Sequence, residues 1–219
     1  MKRFSILLKN EMKLSIRDMN MVIFAVLMLL AILVILGIIY TGKPAYNGAP
    51  YTFMKQSFGA ACAISMCAGS LMGLSMVISD YWECKILKRF LVMPVSPAVL
   101  LAEELSVYIL YCAVSLVTLA LAAVLFWNVR IRGSVWAFLG SWLPTTLSTL
   151  SIGMLVGGLA KNSKQAGVIA SVLYFPMLVF SGTTLPVEVM TQEMQKVVSL
   201  FPLTQGITLM KNTFLDISQ

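Results

Sequence analysis

The sequence predicts an all-α, polytopic transmembrane helical protein, and three observations carry that expectation. Of its 219 residues 59% are hydrophobic and only 11% charged, with a mean hydropathy of +0.88. A soluble domain has about 45–50% apolar and about 25% charged residues, so this chain lacks the polar surface to cover a water-soluble globule. Its apolar residues also run in long uninterrupted blocks, the pattern of helices long enough to cross a hydrocarbon core of about 30 Å. Its charges fall in short segments between those blocks. A soluble enzyme and a disordered chain are both excluded.

The composition narrows the chemistry further. Sixteen Lys and Arg stand against nine Asp and Glu, a net +7. Basic residues confined to segments between apolar blocks fit topology signals and anionic lipid headgroups, not nucleic acid. There is no histidine, so zincin-type sites and His-based acid–base or nucleophile chemistry are absent. Cys62, Cys67, Cys84 and Cys112 show no C-x-x-C spacing, and three of them lie inside apolar blocks. They read as small, buried, reduced residues. No catalytic residue, metal site or cofactor is expected.

Residues 1–18 open the chain. At 100° per residue Phe4, Leu7, Leu8, Met12 and Leu14 share one face, with Lys2, Lys9, Lys13 and Arg17 opposite. This predicts an amphipathic helix in the headgroup plane; charges that merely orient a first span are the simpler alternative. Residues 21–40 form a charge-free first span that Thr41-Gly42-Lys43-Pro44 ends. A second span, 56–79, is rich in small residues, and Gly69 and Gly73 make a small-xxx-small pair that permits close helix approach.

The most polar internal stretch follows, at 80–97. Trp82, Ile86, Phe90 and Met93 recur there at helical spacing, and Pro94 should stop the helix. A third span is expected at 101–126 with Glu103 and Glu104 near its start. A fourth, at 135–160, contains Pro144 and the Gly153/Gly157 pair, and a fifth, at 167–182, contains Pro176 and ends at Ser181-Gly182. Beyond Pro186 the chain turns moderately polar. Val187, Met190, Met194, Val197 and Val198 recur at three- and four-residue steps before Pro202, predicting an amphipathic outer segment over 186–203. An ordinary exposed loop is the competing view.

Positive charge sets the orientation. With the N-terminus in the cytoplasm, the inner segments carry Lys2, Arg3, Lys9, Lys13, Arg17, then Lys85, Lys88, Arg89, then Lys161 and Lys164. The outer segments carry Lys43, Lys55, Arg130, Arg132, Lys196 and Lys211, so ten face in and six face out. That excess predicts a multi-pass protein of the cell membrane with a cytoplasmic N-terminus.

Few motifs carry chemistry. No G-x-x-x-x-G-K-[ST] occurs, and Gly157-Gly158-Leu159-Ala160-Lys161-Asn162-Ser163 has the wrong spacing and no preceding strand. Glu103 and Glu104, being adjacent, point about 100° apart on a helix and read as interfacial and structural. Ser141, Thr145, Thr146, Ser148, Thr149 and Ser151 could line a pathway, although hydroxyls bonding back onto their own helix are the commoner arrangement. The fifteen methionines read as adaptable packing, a property that also suits a pocket for varied apolar substrates.

The order of elements carries a resemblance. A basic interfacial helix ending in Arg17-Asp18 precedes two spans. A Glu/Lys/Arg helix closed by Leu91-Val92-Met93-Pro94-Val95-Ser96 follows them. The fifth span then runs into Phe180-Ser181-Gly182-Thr183-Thr184-Leu185-Pro186-Val187-Glu188, and later Phe201-Pro202-Leu203-Thr204. Nearly the whole chain resembles the membrane (permease) subunit of type-2 ABC exporters, which move drugs, antibiotics, peptides, lipids or polysaccharides. The resemblance implies that 80–93 is the coupling helix that docks on an ABC ATPase subunit, through Trp82, Glu83, Lys85, Ile86, Lys88, Arg89 and Phe90. It further implies that 186–203, with Ser181, Gly182, Pro186, Glu188 and Pro202, forms outer re-entrant helices. ATP hydrolysis would belong to the partner, and a second permease chain, identical or different, would complete the path.

The chain departs from the family's pattern in three places. Val189-Met190-Thr191 stands where a second proline is usual, and Lys211 where arginine is expected. The family has six spans, whereas Leu203 to Gln219, with Lys211, Asn212 and Asp216, is too short and polar to cross. Five spans are therefore expected, with Gln219 outside. Two other readings stay open: a non-transporting membrane protein such as an immunity or assembly factor, and an ion-coupled secondary transporter. Scarce buried charge and the absence of an evident repeat weaken the latter.

Overall fold

Long runs of Leu, Val, Ala and Met, unbroken by charge, leave the backbone no way to satisfy its N–H and C=O groups in lipid except within the chain itself. The computed structural model accordingly describes helices, over residues 53–86, 97–127, 134–180 and 202–215, together with Val34, Ile38, Glu193, Gln195 and Lys196. The first described helical run has three parts: α1 (Phe53–Cys67), a π-helical segment (Ala68–Leu74) and α2 (Ser75–Glu83). After it come α3 (Pro97–Trp127), α4 (Val135–Leu159), α5 (Ser163–Phe180) and α6 (Pro202–Leu215). Among the described residues three stretches are long and apolar enough to cross a membrane: Ala61–Glu83, Ala98–Phe126 and Val135–Leu159. No strand occurs among the described residues.

The run from Phe53 to Glu83 is the hub. Ala63, Cys67, Ser70, Leu71, Leu74, Ser75 and Ser79 are all fully buried, because α3, α4, α5 and α6 each pack against some part of it. One core cluster joins Phe58, Met66 and Leu71 of the hub to Leu119 of α3, Trp142 of α4, Met177 of α5 and Met210 of α6. A second, toward the Glu83 end, joins Leu74 and Ile78 to Tyr108 and Leu150. Ser65 and Ser115 add a polar tie, a hydrogen bond of 2.5 Å between α1 and α3.

The π-helical turn inside the hub is absent from the sequence expectation, which read 56–79 as plain α-helix. Its residues Ala68, Gly69, Ser70 and Gly73 are small, and the Ser75 hydroxyl donates back to the Leu71 carbonyl at its end. Against it lies α4, through glycine. A Cβ on Gly153 would collide with the Ser70 carbonyl oxygen, and one on Gly157 would meet the Ser75 carbonyl oxygen at 2.7 Å and Ile78 Cβ at 2.8 Å. The Gly153/Gly157 pair therefore makes the close approach. At Gly69 the nearest outside atom, Cys112 Sγ, would stand 3.9 Å away, so Gly69 is not pressed in that way.

Other boundaries shift for local reasons. Pro97 opens α3 four residues before the expected start, in the helical position that has no use for an N–H. Pro144 and Pro176 both sit inside helices, as expected of spans. The hydroxyls of α4 bond back onto their own helix: Ser141 to Ala137, Thr145 to Ser141, Thr146 to Trp142, Thr149 to Thr146 and Ser151 to Leu147, over 2.8–3.1 Å. The stretch after Pro202, from which no packed element was expected, forms α6. Its Leu203, Thr204, Ile207 and Met210 are buried against α4 and α1, and Gly206 lies so close to the Thr145 side chain that a Cβ there would clash.

Candidate functional site

Residues 80–86 lie at the end of the bundle where α2 stops, α3 begins and α4 turns into α5. Sequence spacing predicted one helix through 80–93, with Trp82 and Ile86 on a common face. The structure corrects this: the helix that starts in the membrane runs on to Glu83 and ends there. Cys84 N–H donates to the Asp80 carbonyl at 2.8 Å and Lys85 N–H to the Trp82 carbonyl at 3.1 Å. Lys85 has a φ of 55°, so it takes the left-handed position of a Schellman-type cap, normally glycine. Ile86, the last described residue of this segment, is helical. Trp82 and Glu83 are thus the exposed tail of the second span's own helix, rigidly continuous with the hub.

The exposures follow from that geometry. Trp82 is 50% exposed, Glu83, Cys84 and Lys85 are exposed, and Ile86 is half-buried. Lys88, Arg89 and Phe90 lie outside the described residues, as do Ser181, Gly182, Pro186 and Glu188. So do residues 1–18 and, apart from the helical Val34 and Ile38, the first span. Pro202 opens α6, and Glu193, Gln195 and Lys196 within the outer segment are helical.

Two further features of this end were missed from sequence. Glu103 and Glu104, read from sequence as interfacial and structural, are 1% and 3% exposed, buried among the protein's own helices in the first turns of α3. Tyr81, from the last turn of α2, donates its hydroxyl hydrogen to Glu104 Oε1, tying the α2 tail to α3. Adjacent residues on a helix diverge, but helices packed on two sides can bury both, and one sequence gives no sign of those neighbours. The second feature is a braced turn between α4 and α5. Gln165 N–H donates to Asn162 Oδ1 at 2.8 Å, and Lys161 N–H donates to Gln165 Oε1 at 3.0 Å. Ala166 N–H donates to the Asn162 carbonyl at 3.0 Å, which makes Asn162 the N-cap of α5 in a capping-box-like arrangement. Glu83 Oε2 accepts from Ser163 N–H at 3.2 Å. The α2 tail is therefore bonded to α3 through Tyr81 and to α5 through Glu83.

A family model of ABC-2 type transporters matches residues 2–215. The chain belongs to the ABC-2 type transporter family. This ABC-2 chain is also 28% identical, over 157 residues, to proteins called inner membrane transport permease YhhJ, of Escherichia coli (strain K12) and Shigella flexneri. The match covers 69% of this chain and 41% of each relative, so it spans less than half the length of those curated relatives. No solved structure matches the chain at a significant level. Family and apolar helices together make it a multi-pass membrane protein.

Proposed function

We propose that this chain is the membrane subunit of an ATP-driven ABC exporter. In this reading its N-terminus is cytoplasmic, ATP is hydrolysed on a separate ABC ATPase subunit, and a second permease chain completes the path. The chain itself performs no covalent chemistry. It contributes differential affinity for substrate in two conformations, which is all a conformational pump needs from its membrane part. The substrate belongs among the drug, antibiotic, peptide, lipid or polysaccharide classes of the resembling permeases.

One observation carries the reading best. In a family of transport permeases, the most deeply buried of the described spans ends in a half-exposed Trp82 beside exposed Glu83 and Lys85. An aromatic anchor ringed by charge is the composition that concentrates binding energy at protein interfaces. Its continuity with the hub gives a docked partner direct purchase on the core. The test is Trp82→Ala in the complex of this chain with its ATPase subunit, reconstituted into vesicles. Stimulated ATP hydrolysis should fall at least tenfold, about the loss expected of an interface hot spot, while membrane insertion is retained. Hydrolysis at the unsubstituted level would refute the docking role.

A further inference from the structure

Glu83 sits at the boundary between the proposed docking segment and the bundle, but its carboxylate is engaged within the chain. The partner atom is the backbone N–H of Ser163, 80 residues away in sequence, at 3.2 Å. Ser163 is the first residue of α5, and the first N–H groups of any helix have no acceptor within it. Two other donors of the turn are satisfied locally, Gln165 N–H on Asn162 Oδ1 and Lys161 N–H on Gln165 Oε1. The Ser163 N–H is left for α2, and a carboxylate at the positive end of a helix dipole is a favourable acceptor. α2 and α5 also pack along one another, so the bond closes an existing contact at its open end.

We infer that Glu83 is a positioning residue: its bond to Ser163 N–H makes the α2 tail and the first turn of α5 a single mechanical piece. A push on Trp82–Lys85 is then delivered to α5 as well as to the hub. Glu83, expected from sequence to face the ATPase, acts inward instead. This inference rests on the docking role proposed above and adds the route by which docking reaches the fifth span.

The test uses three substitutions in the permease–ATPase complex. Glu83→Ala removes the acceptor, Glu83→Gln keeps an acceptor and removes the charge, and Ser163→Pro removes only the donor. Proline is well suited to the first helical position, where its ring presets the backbone and the N–H is dispensable. Amide hydrogen exchange at Lys164–Ala166, read on the permease chain alone, should rise about threefold to tenfold in Glu83→Ala and Ser163→Pro, the range one such hydrogen bond is worth. It should stay within about twofold of the unsubstituted chain in Glu83→Gln. Stimulated ATP hydrolysis should fall by a similar factor in the first two variants and be rescued in Glu83→Gln. The double variant Glu83→Ala/Ser163→Pro should be no worse than either alone, because both remove one interaction. Unchanged exchange, or additive losses in the double variant, would overturn the inference. Trp82→Ala separates the two proposals. If it impairs hydrolysis while Glu83→Ala and Ser163→Pro do not, docking stands and the tie is wrong. If it leaves hydrolysis unchanged, docking fails and the exchange data alone judge the tie.

Discussion

Adjacent glycines in α4 show how local the packing requirement is. Gly157 faces the hub, and any side-chain atom there meets the Ser75 carbonyl oxygen and Ile78 within 2.8 Å; Gly158, one residue on, has nothing within 4 Å. Backbone cannot yield as a flexible side chain can, so Gly157→Ala must push α4 away from the hub. Overpacking of this kind costs about 1–3 kcal/mol. The expected outcome is a clearly lower thermal midpoint in detergent for Gly157→Ala, and for Gly158→Ala no loss of stability, since alanine in an open helical position is favoured over glycine by up to about 1 kcal/mol. Equal effects of the two substitutions would contradict the packing described here. Sequence identified the glycine pair but not its partner, because a small-xxx-small pattern says that something approaches closely and not what. Lys85 taught the opposite lesson. Its left-handed backbone ends α2, yet no glycine or asparagine marks the turn, so a helical pattern read straight through it.

At the level of elements, the π-helical segment governs how the two halves of the hub relate. π turns carry an extra residue relative to an α-helix and recur at functional sites. Here the segment separates α1, packed against α6 and α3, from α2, which carries Trp82 and Glu83. Inserting one alanine after Gly69, where no neighbour presses closely, adds a residue beyond the extra one that the π turns already accommodate. That would turn α2 by about 100° relative to α1, the angle one helical residue subtends. The Glu83–Ser163 and Tyr81–Glu104 bonds could not survive such a turn. We predict that the insertion leaves the chain in the membrane but raises amide exchange at the start of α5 and abolishes stimulated hydrolysis. Full activity would show that the register of the segment is immaterial. Sequence could not have found it, since Ala, Gly and Ser populate α and π turns alike. The same limit hid α6: Lys211 and Asn212 spoil its apolar average, although Leu203, Ile207 and Met210 keep a helical spacing and are buried.

Across the whole molecule, the all-helical architecture and the second, third, fourth and fifth helical blocks were legible, because block length and the gaps between charges are set by the membrane itself. The coupling of one end was not. Tyr81 to α3, Glu83 to α5 and the buried Glu103 and Glu104 depend on which helices are neighbours, and a single sequence records no contacts between distant residues. Among the described residues, the most buried span ends in an exposed tail that is bonded to two of its neighbours. Exposed apolar residues line one face of α3: Leu110, Val114, Val117, Leu121 and Val124 recur at three- and four-residue steps, as surface meeting lipid or a second chain would. The central claim is that the exposed tail receives an ATPase subunit from the cytoplasm. Cys84, the one exposed cysteine of the four, stands between Glu83 and Lys85 and provides a native probe. A thiol-directed photo-cross-linker carried by Cys84 in membranes containing the complete complex should yield a covalent product with the ABC ATPase subunit, identified by mass, that disappears in Cys84→Ser. Cross-links to lipid alone, with the ATPase subunit present in the same membranes, would contradict the claim.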